Sequence, residues 1–183
     1  MQLLYHVNLG APVLGNGATL QAALCEIAPK DDLSASEIEQ WNQYGSPESG
    51  YAERVYFAKP CSDEANESVA MLRSAEGNRG LAVIYNVKGL PRFILWKNTG
   101  AQQDGYVTGL EPATNYPNTR SFEEKQGRVV EIAPDETASF RVSLNPLTNA
   151  ESVNAVSERI TSIQGDVSPK IHATPRPGWS PGA

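Results

Sequence analysis

Short apolar runs separated by turn residues are the feature that most constrains the fold of this chain. Its 183 residues include 15 glycines and 13 prolines, which punctuate the runs as turns do in an all-β protein. Apolar and polar side chains alternate within several runs, as in Arg54–Phe57, and a period of two is typical of strands that bury one face and expose the other. Such strands favour antiparallel sheets, so the sequence predicts an all-β sandwich. The predicted strands are Leu3–Leu9, Thr19–Glu26, Ala52–Ala58, Ser68–Arg73, Gly80–Val87, Arg92–Lys97, Gly105–Leu110, Gly127–Ile132 and Ala138–Leu144.

Two other segments depart from the strand pattern. Asp31–Gly50 is polar and irregular, which predicts either one or two helical turns or a long loop that Trp41 anchors. In Thr148–Gln164 apolar side chains recur at helical spacing, which predicts one C-terminal amphipathic helix. Thr148 with Glu151 resembles a capping box, and Gly165 is expected to end the helix.

These elements predict one sandwich with two additions. Residues 1–146 are expected to form the sandwich, and residues 147–165 to form the helix packed on it. Residues 166–183 are rich in proline and poor in apolar side chains, so we expect a flexible tail that is disordered or draped on the surface.

Charge and hydropathy exclude several classes of protein. The net charge is −6 at a pI near 5.0, so the chain lacks the clustered cations of a nucleic-acid binder. No apolar run approaches the roughly 20 residues that cross a bilayer, and the first residues do not resemble a secretory signal. We therefore expect a soluble cytoplasmic protein that binds neither nucleic acid nor membrane.

The cysteines and histidines are too few and too scattered to predict a metal site. Cys25 and Cys61 belong to no CxxC pair, so they are expected to be reduced, partly buried thiols. His6 and His172 stand outside any His/Cys cluster, which argues against a transition-metal centre.

His6 and Glu111 are the two residues that best suit acid–base chemistry. Glu111 lies before Pro112 at a predicted strand end, where a stiff exit can hold a carboxylate in one pose. His6 lies in an apolar run, and a histidine can exchange a proton near neutral pH. Taken alone neither residue is specific, because a histidine in a strand is more often packed or at the surface and a glutamate at a strand end is more often solvated.

Four segments resemble a known family. Leu4–Gly10 (Leu-Tyr-His-Val-Asn-Leu-Gly) and Leu110–Asn118 (Leu-Glu-Pro-Ala-Thr-Asn-Tyr-Pro-Asn) are similar to the signature segments in the C-terminal half of aldose 1-epimerases, or galactose mutarotases. Gly50–Phe57 and Leu90–Lys97 fit as well. The likeness spans about residues 3–145 and is closest to the domain-of-unknown-function branch of that superfamily. It implies part of a galactose-mutarotase-like β-supersandwich that binds a hexopyranose.

The resemblance also implies a mechanism. In the family a histidine protonates the ring oxygen of the sugar while a glutamate removes the proton of the anomeric hydroxyl. By motif position His6 is the acid and Glu111 the base. Both steps are proton transfers, so no cofactor and no metal are expected.

Further residues are candidates for binding the sugar. Where classical members have Gly-Tyr-Asp-His, this chain has Gly-Tyr-Ala-Glu at residues 50–53, so Glu53 is either a substitute ligand for a sugar hydroxyl or an exposed strand carboxylate. Trp96 is either a stacking platform or a core residue, and Lys97 either a hydroxyl ligand or a solvated strand end. The remaining candidates are Asn8, Asn115, Asn118 and, with less support, Arg92.

The resemblance covers only the C-terminal half of the family's domain. We therefore expect either a fragment or a shortened relative that a partner completes, such as a second copy of the chain, because half a sandwich exposes sheet edges. A small-molecule sugar is the expected ligand. Two alternatives to an epimerase stay open, namely a non-catalytic carbohydrate-binding or regulatory module and a structural sandwich without a ligand.

Overall fold

The computed structural model describes residues 1–182 and contains two β-sheets and one long C-terminal helix. The predicted all-β class with a sandwich of sheets is confirmed. Six strands form the large sheet in the order β1-β8-β7-β4-β3-β10, and four form the small sheet in the order β2-β5-β6-β9. The strands are β1 (Val7–Leu9), β2 (Thr19–Ala22), β3 (Leu24–Pro29), β4 (Arg54–Pro60), β5 (Glu67–Arg73), β6 (Gly80–Asn86), β7 (Arg92–Asn98), β8 (Val107–Ala113), β9 (Val142–Leu147) and β10 (Lys170–Ile171), and the helices are α1 (Asp32–Ala35), α2 (Arg120–Lys125) and α3 (Ala150–Gln164).

The main core lies between the two sheets. Leu72 and Val83 of the small sheet and Tyr56, Leu95 and Leu110 of the large sheet belong to one buried cluster. These residues alternate along their strands with residues that face outward. Neighbouring strands are antiparallel except β10, which runs parallel to β3.

Helix α3 covers the outer face of the small sheet. Its residues Val153 and Ile160 pack with Val69 and Met71 of β5, so β5 is buried on both faces. The helix begins one residue later than its predicted capping box requires, because the side chain of Asn149, and not of Thr148, accepts the hydrogen bond from the backbone N–H of Ser152 at 2.8 Å. It ends at Gly165, as predicted.

A second apolar cluster lies on the outer face of the large sheet. Val55 and Phe57 of β4 belong to it with Ile94, Ala113 and Tyr116. The prediction that β4 exposes one of its faces to solvent is therefore wrong, since Val55 through Ala58 are all buried.

Residues 170–180 follow the same face, where the sequence predicted a flexible tail. Strand β10 pairs with β3, and the side chains of His172 and Arg176 both contact Glu26. The Trp179 ring lies 5.0 Å from the Tyr116 ring, centroid to centroid. A few large side chains make these contacts, and the small number of apolar residues in the segment gave no indication of them.

Several predicted strands differ from the observed ones: Leu3–Leu9 is a strand only over Val7–Leu9, and Gly105–Leu110 lies later, at Val107–Ala113. Thr19–Glu26 is divided at Ala23, so that its two parts join different sheets, β2 in the small sheet and β3 in the large. The segment predicted as Ala138–Leu144 forms its strand later, as β9, and Gly127–Ile132 forms none.

Cys25 and Cys61 form a disulfide, which corrects the prediction of two reduced thiols. Cys25 lies in β3 and Cys61 directly follows β4, and the antiparallel pairing of these strands brings the two Cα atoms to 5.2 Å. Spacing along the chain carried no signal for this bond, because strand register creates it. Within residues 1–182 no helix combines the length and apolar character that crossing a membrane requires.

Candidate functional site

Strand register brings His6 and Glu111 to the same place. Strand β1 is antiparallel to β8 and pairs Asn8 with Gly109, so His6, two residues earlier, comes beside Glu111. On its other side β8 pairs Gly109 with Trp96 of β7. Directly paired residues and residues two apart share a face, so all five lie on the outer face of the large sheet.

His6 and Glu111 form a close pair of unequal exposure. The Nε2 atom of His6 lies 2.9 Å from Oε1 of Glu111, and the side chains are 46% and 4% exposed. The ring and the carboxyl group are not aligned as a hydrogen bond, and Oε1 is a buried oxygen with no hydrogen-bond donor among the described residues. The site thus offers a titratable imidazole at the surface and an unsatisfied carboxyl oxygen behind it.

The environment of Glu111 favours its neutral form. Burial, and then the negative charge of Glu53, raise the pKa of Glu111 from 4.5 to about 8. In the unliganded protein at neutral pH the carboxyl group therefore holds a proton in most molecules.

Gly109 leaves the space that the pair occupies. A Cβ atom at this position would lie 2.4 Å from Oε1 of Glu111 and 3.1 Å from Cε1 of His6. Any side chain here would displace the carboxyl group, so the bare backbone forms the base of the site. Gly109 was not among the predicted site residues, although a glycine inside a strand is a known signal for the close approach of another group.

Trp96 and Glu53 lie beside the pair and contact each other. The indole Nε1 of Trp96 donates a hydrogen bond of 2.7 Å to Oε2 of Glu53. The Trp96 ring meets the His6 ring at an angle of 69°, with 5.2 Å between the centroids. Both residues predicted near the sugar are thus in the site. Asn8 shares the face, and its exposed side chain extends the site along β1.

Lys97 is not in this site, contrary to the prediction that it binds a sugar hydroxyl. As the neighbour of Trp96 in β7 it points to the opposite face, where its Nζ donates to the carbonyl oxygens of Gln40 at 3.2 Å and Gln43 at 2.8 Å. Only 3% of the residue is exposed. Burial lowers the pKa of Lys97 to about 8.

The other predicted ligands have local structural contacts. Asn115 is buried, its Nδ2 donates to the carbonyl oxygen of Tyr116, and its Oδ1 accepts from Thr114, so its polar groups are occupied within the loop. Asn118 donates to Glu123 and to the carbonyl of Trp179. The guanidinium of Arg92 lies 5.5 Å from the centre of the Tyr116 ring.

Glu111 is also placed differently along its strand than predicted. Strand β8 continues through Pro112 to Ala113, so Glu111 lies inside the strand and not at its end. Its pose is fixed by neighbours on both sides, β1 and β7, and does not depend on a stiff exit loop. Across residues 1–182 no three His, Cys, Asp or Glu side chains are grouped to hold a metal ion.

Comparisons with known proteins agree with this architecture. Residues 1–145 match the family described as Domain of unknown function (DUF4432). No curated protein matches the chain. A solved structure described as a "putative aldose 1-epimerase", from Klebsiella pneumoniae subsp. pneumoniae MGH 78578, is similar over 95% of this chain, with 34% identity and a TM-score of 0.93. The chain spans 45% of the length of that structure. The sheets are therefore those of an aldose-1-epimerase-like sandwich, and the chain belongs to the DUF4432 family.

Proposed function

We propose that this chain binds a hexopyranose on the outer face of the large sheet and interconverts the two anomers of the sugar. The observation that carries the proposal is the His6–Glu111 pair, with 2.9 Å between Nε2 and Oε1, above the bare backbone of Gly109. The 34% identity to a protein described as a putative aldose 1-epimerase supports it.

The chemistry needs one acid and one base on a single sugar ring. His6 gives a proton to the ring oxygen while Glu111 takes the proton of the anomeric hydroxyl. The bond from the anomeric carbon to the ring oxygen breaks, and the anomeric C–O bond becomes a carbonyl. After rotation about the bond between the first two carbons, the reverse transfers close the ring to the other anomer and restore both side chains.

The geometry suits a pair that holds one proton. The step uses the form in which His6 carries the proton and Glu111 is ionised, and the 2.9 Å between the two groups places both beside one anomeric centre. The buried Oε1 that lacks a donor gains one when the anomeric hydroxyl binds to it. Substrate binding therefore satisfies a buried oxygen that has no hydrogen-bond donor in the free site.

Polarimetry of freshly dissolved α-D-glucose or α-D-galactose tests the proposal. We expect the chain to speed anomer exchange above the buffer rate at neutral pH, and expect H6A and E111Q to lower the rate by roughly 100-fold or more, as loss of a general acid or base does. H172A is the matched control, because His172 is the other histidine and contacts Glu26 outside the site. A folded, sugar-binding chain with no rate above buffer would contradict catalysis.

Carbohydrate binding without catalysis is the second candidate. The observation that favours it is the match to only 45% of the length of the epimerase-like structure. A module of this kind would give a calorimetric binding signal for the sugar that survives both H6A and E111Q. An epimerase would instead bind sugar and lose exchange in both variants.

A further inference from the structure

Glu53 and Trp96, both predicted as sugar ligands, direct their polar groups at each other. Oε2 of Glu53 accepts the only polar hydrogen of the Trp96 indole, at 2.7 Å from Nε1. The indole N–H is thus occupied. Trp96 can therefore offer a sugar only its ring, and one oxygen of Glu53 is committed to holding that ring.

The indole in turn limits where the His6 ring can lie. The two rings are 5.2 Å apart between centroids and 69° from parallel, which is the edge-to-face arrangement that aromatic pairs prefer. His6 directly precedes β1 and is about half exposed, so its own strand holds it weakly. Trp96 and Glu111 both contact its imidazole and confine it.

We propose that Glu53 and Trp96 are positioning residues: the Glu53 carboxylate fixes the indole, and the indole fixes His6 against Glu111. This inference rests on the proposed function for its kinetic consequence. Its structural part concerns only the contacts of Glu53 with Trp96 and of Trp96 with His6. The negative charge of Glu53 also raises the pKa of Glu111, after the larger effect of burial.

The first test is spectroscopic and does not require activity. The chain has three tryptophans, so W96F identifies the Trp96 indole in a ¹H–¹⁵N spectrum. We expect its N–H resonance to move upfield in E53A, where the acceptor is lost, and to stay near its wild-type position in E53Q, where an amide oxygen replaces the carboxylate. The His6 ring resonances should shift in E53A and W96F. They should stay unchanged in E39Q, which removes an exposed carboxylate elsewhere.

The second test is kinetic and separates positioning from sugar binding. We expect E53A and W96F each to lower kcat by about 10-fold with KM changed less than threefold, and expect E53Q to recover most of kcat. The double variant E53A/W96F should be no slower than the slower single variant, because both changes break the same chain of contacts. In E53Q the titration of Glu111, followed by carboxyl ¹³C NMR, should move to lower pH, since a negative charge beside it is gone.

The outcomes distinguish this inference from the proposed function. An unmoved Trp96 indole resonance in E53A, or equal rises in KM for E53A and E53Q that add to that of W96F, would overturn the positioning role and make Glu53 a sugar ligand. A wild-type chain without anomer exchange would overturn the proposed function alone. In that case the shifts of the indole and of the His6 ring still decide whether Glu53 and Trp96 position the imidazole.

Discussion

At the scale of single residues, the site is built from features that oppose stability. Glu111 is a carboxyl group buried without a donor for Oε1, and Gly109 is a strand residue without a side chain. A buried unsatisfied oxygen costs stability, and a glycine in a strand gives none. The missing side chain of Gly109 leaves room for the Glu111 carboxyl group, and under the proposed function the unsatisfied oxygen is the acceptor for a sugar hydroxyl.

The raised pKa of Glu111 predicts how stability depends on pH. The folded state holds the Glu111 proton up to about pH 8 and the unfolded state only up to about 4.5, so this residue lowers the free energy of unfolding as pH rises between those values. E111Q is neutral in both states. We expect it to be more stable than the wild type by about 3 kcal/mol at pH 7, with the difference vanishing below pH 4.5.

Urea denaturation of wild type and E111Q from pH 4 to pH 9 measures this difference. E39Q serves as the control, because Glu39 is exposed and its removal should leave the pH dependence of the wild type unchanged. Parallel curves for wild type and E111Q would show that Glu111 is not held neutral by burial.

At the scale of the strand, alternation decides which predicted residues reach the site. Trp96 and Lys97 are consecutive in β7, so only one of them can face the His6–Glu111 pair. Both residues were predicted in the site because both lie at the end of the predicted strand Arg92–Lys97. The register with β8, which pairs Trp96 with Gly109, resolves the choice, and register is a tertiary property that one strand's sequence does not contain.

Lys97 has a structural role on the opposite face of the sheet, and the variant K97M tests that role. K97M keeps the length of the side chain but removes the hydrogen-bond donor from the carbonyls of Gln40 and Gln43. We expect it to lower the free energy of unfolding by roughly 1–3 kcal/mol, the cost of unsatisfied buried groups, and to leave KM for the sugar unchanged. Thermal denaturation and polarimetry measure the two effects.

K59M is the matched control, because Lys59 is exposed in the adjacent strand β4. An increase in KM for K97M without any loss of stability would return Lys97 to the list of sugar ligands.

At the scale of the whole molecule, the outer face of the large sheet has two parts. One part carries His6 and Glu111, and the other is the apolar cluster around Phe57 and Tyr116, on which Trp179 packs. Short apolar runs between turn residues predicted most strands of both sheets, and the resemblance of two segments singled out His6 and Glu111. The packing of Trp179 on this face was not predicted. The composition of residues 166–183 describes the average of the segment, whereas three large side chains, His172, Arg176 and Trp179, determine where the segment lies.

We therefore expect Trp179 to stabilise the outer face of the large sheet. W179A removes the ring that lies 5.0 Å from Tyr116 and 4.6 Å from the guanidinium of Arg176. We expect a loss of roughly 2 kcal/mol in the free energy of unfolding, faster proteolysis after residue 165, and greater binding of an apolar dye to the uncovered Phe57 and Tyr116. W179F keeps an aromatic ring and should stay near the wild type in all three measurements. If W179A matched W179F, the packing of the Trp179 ring on Tyr116 would contribute nothing to the stability of the fold, and the apolar outer face would be stable without that ring.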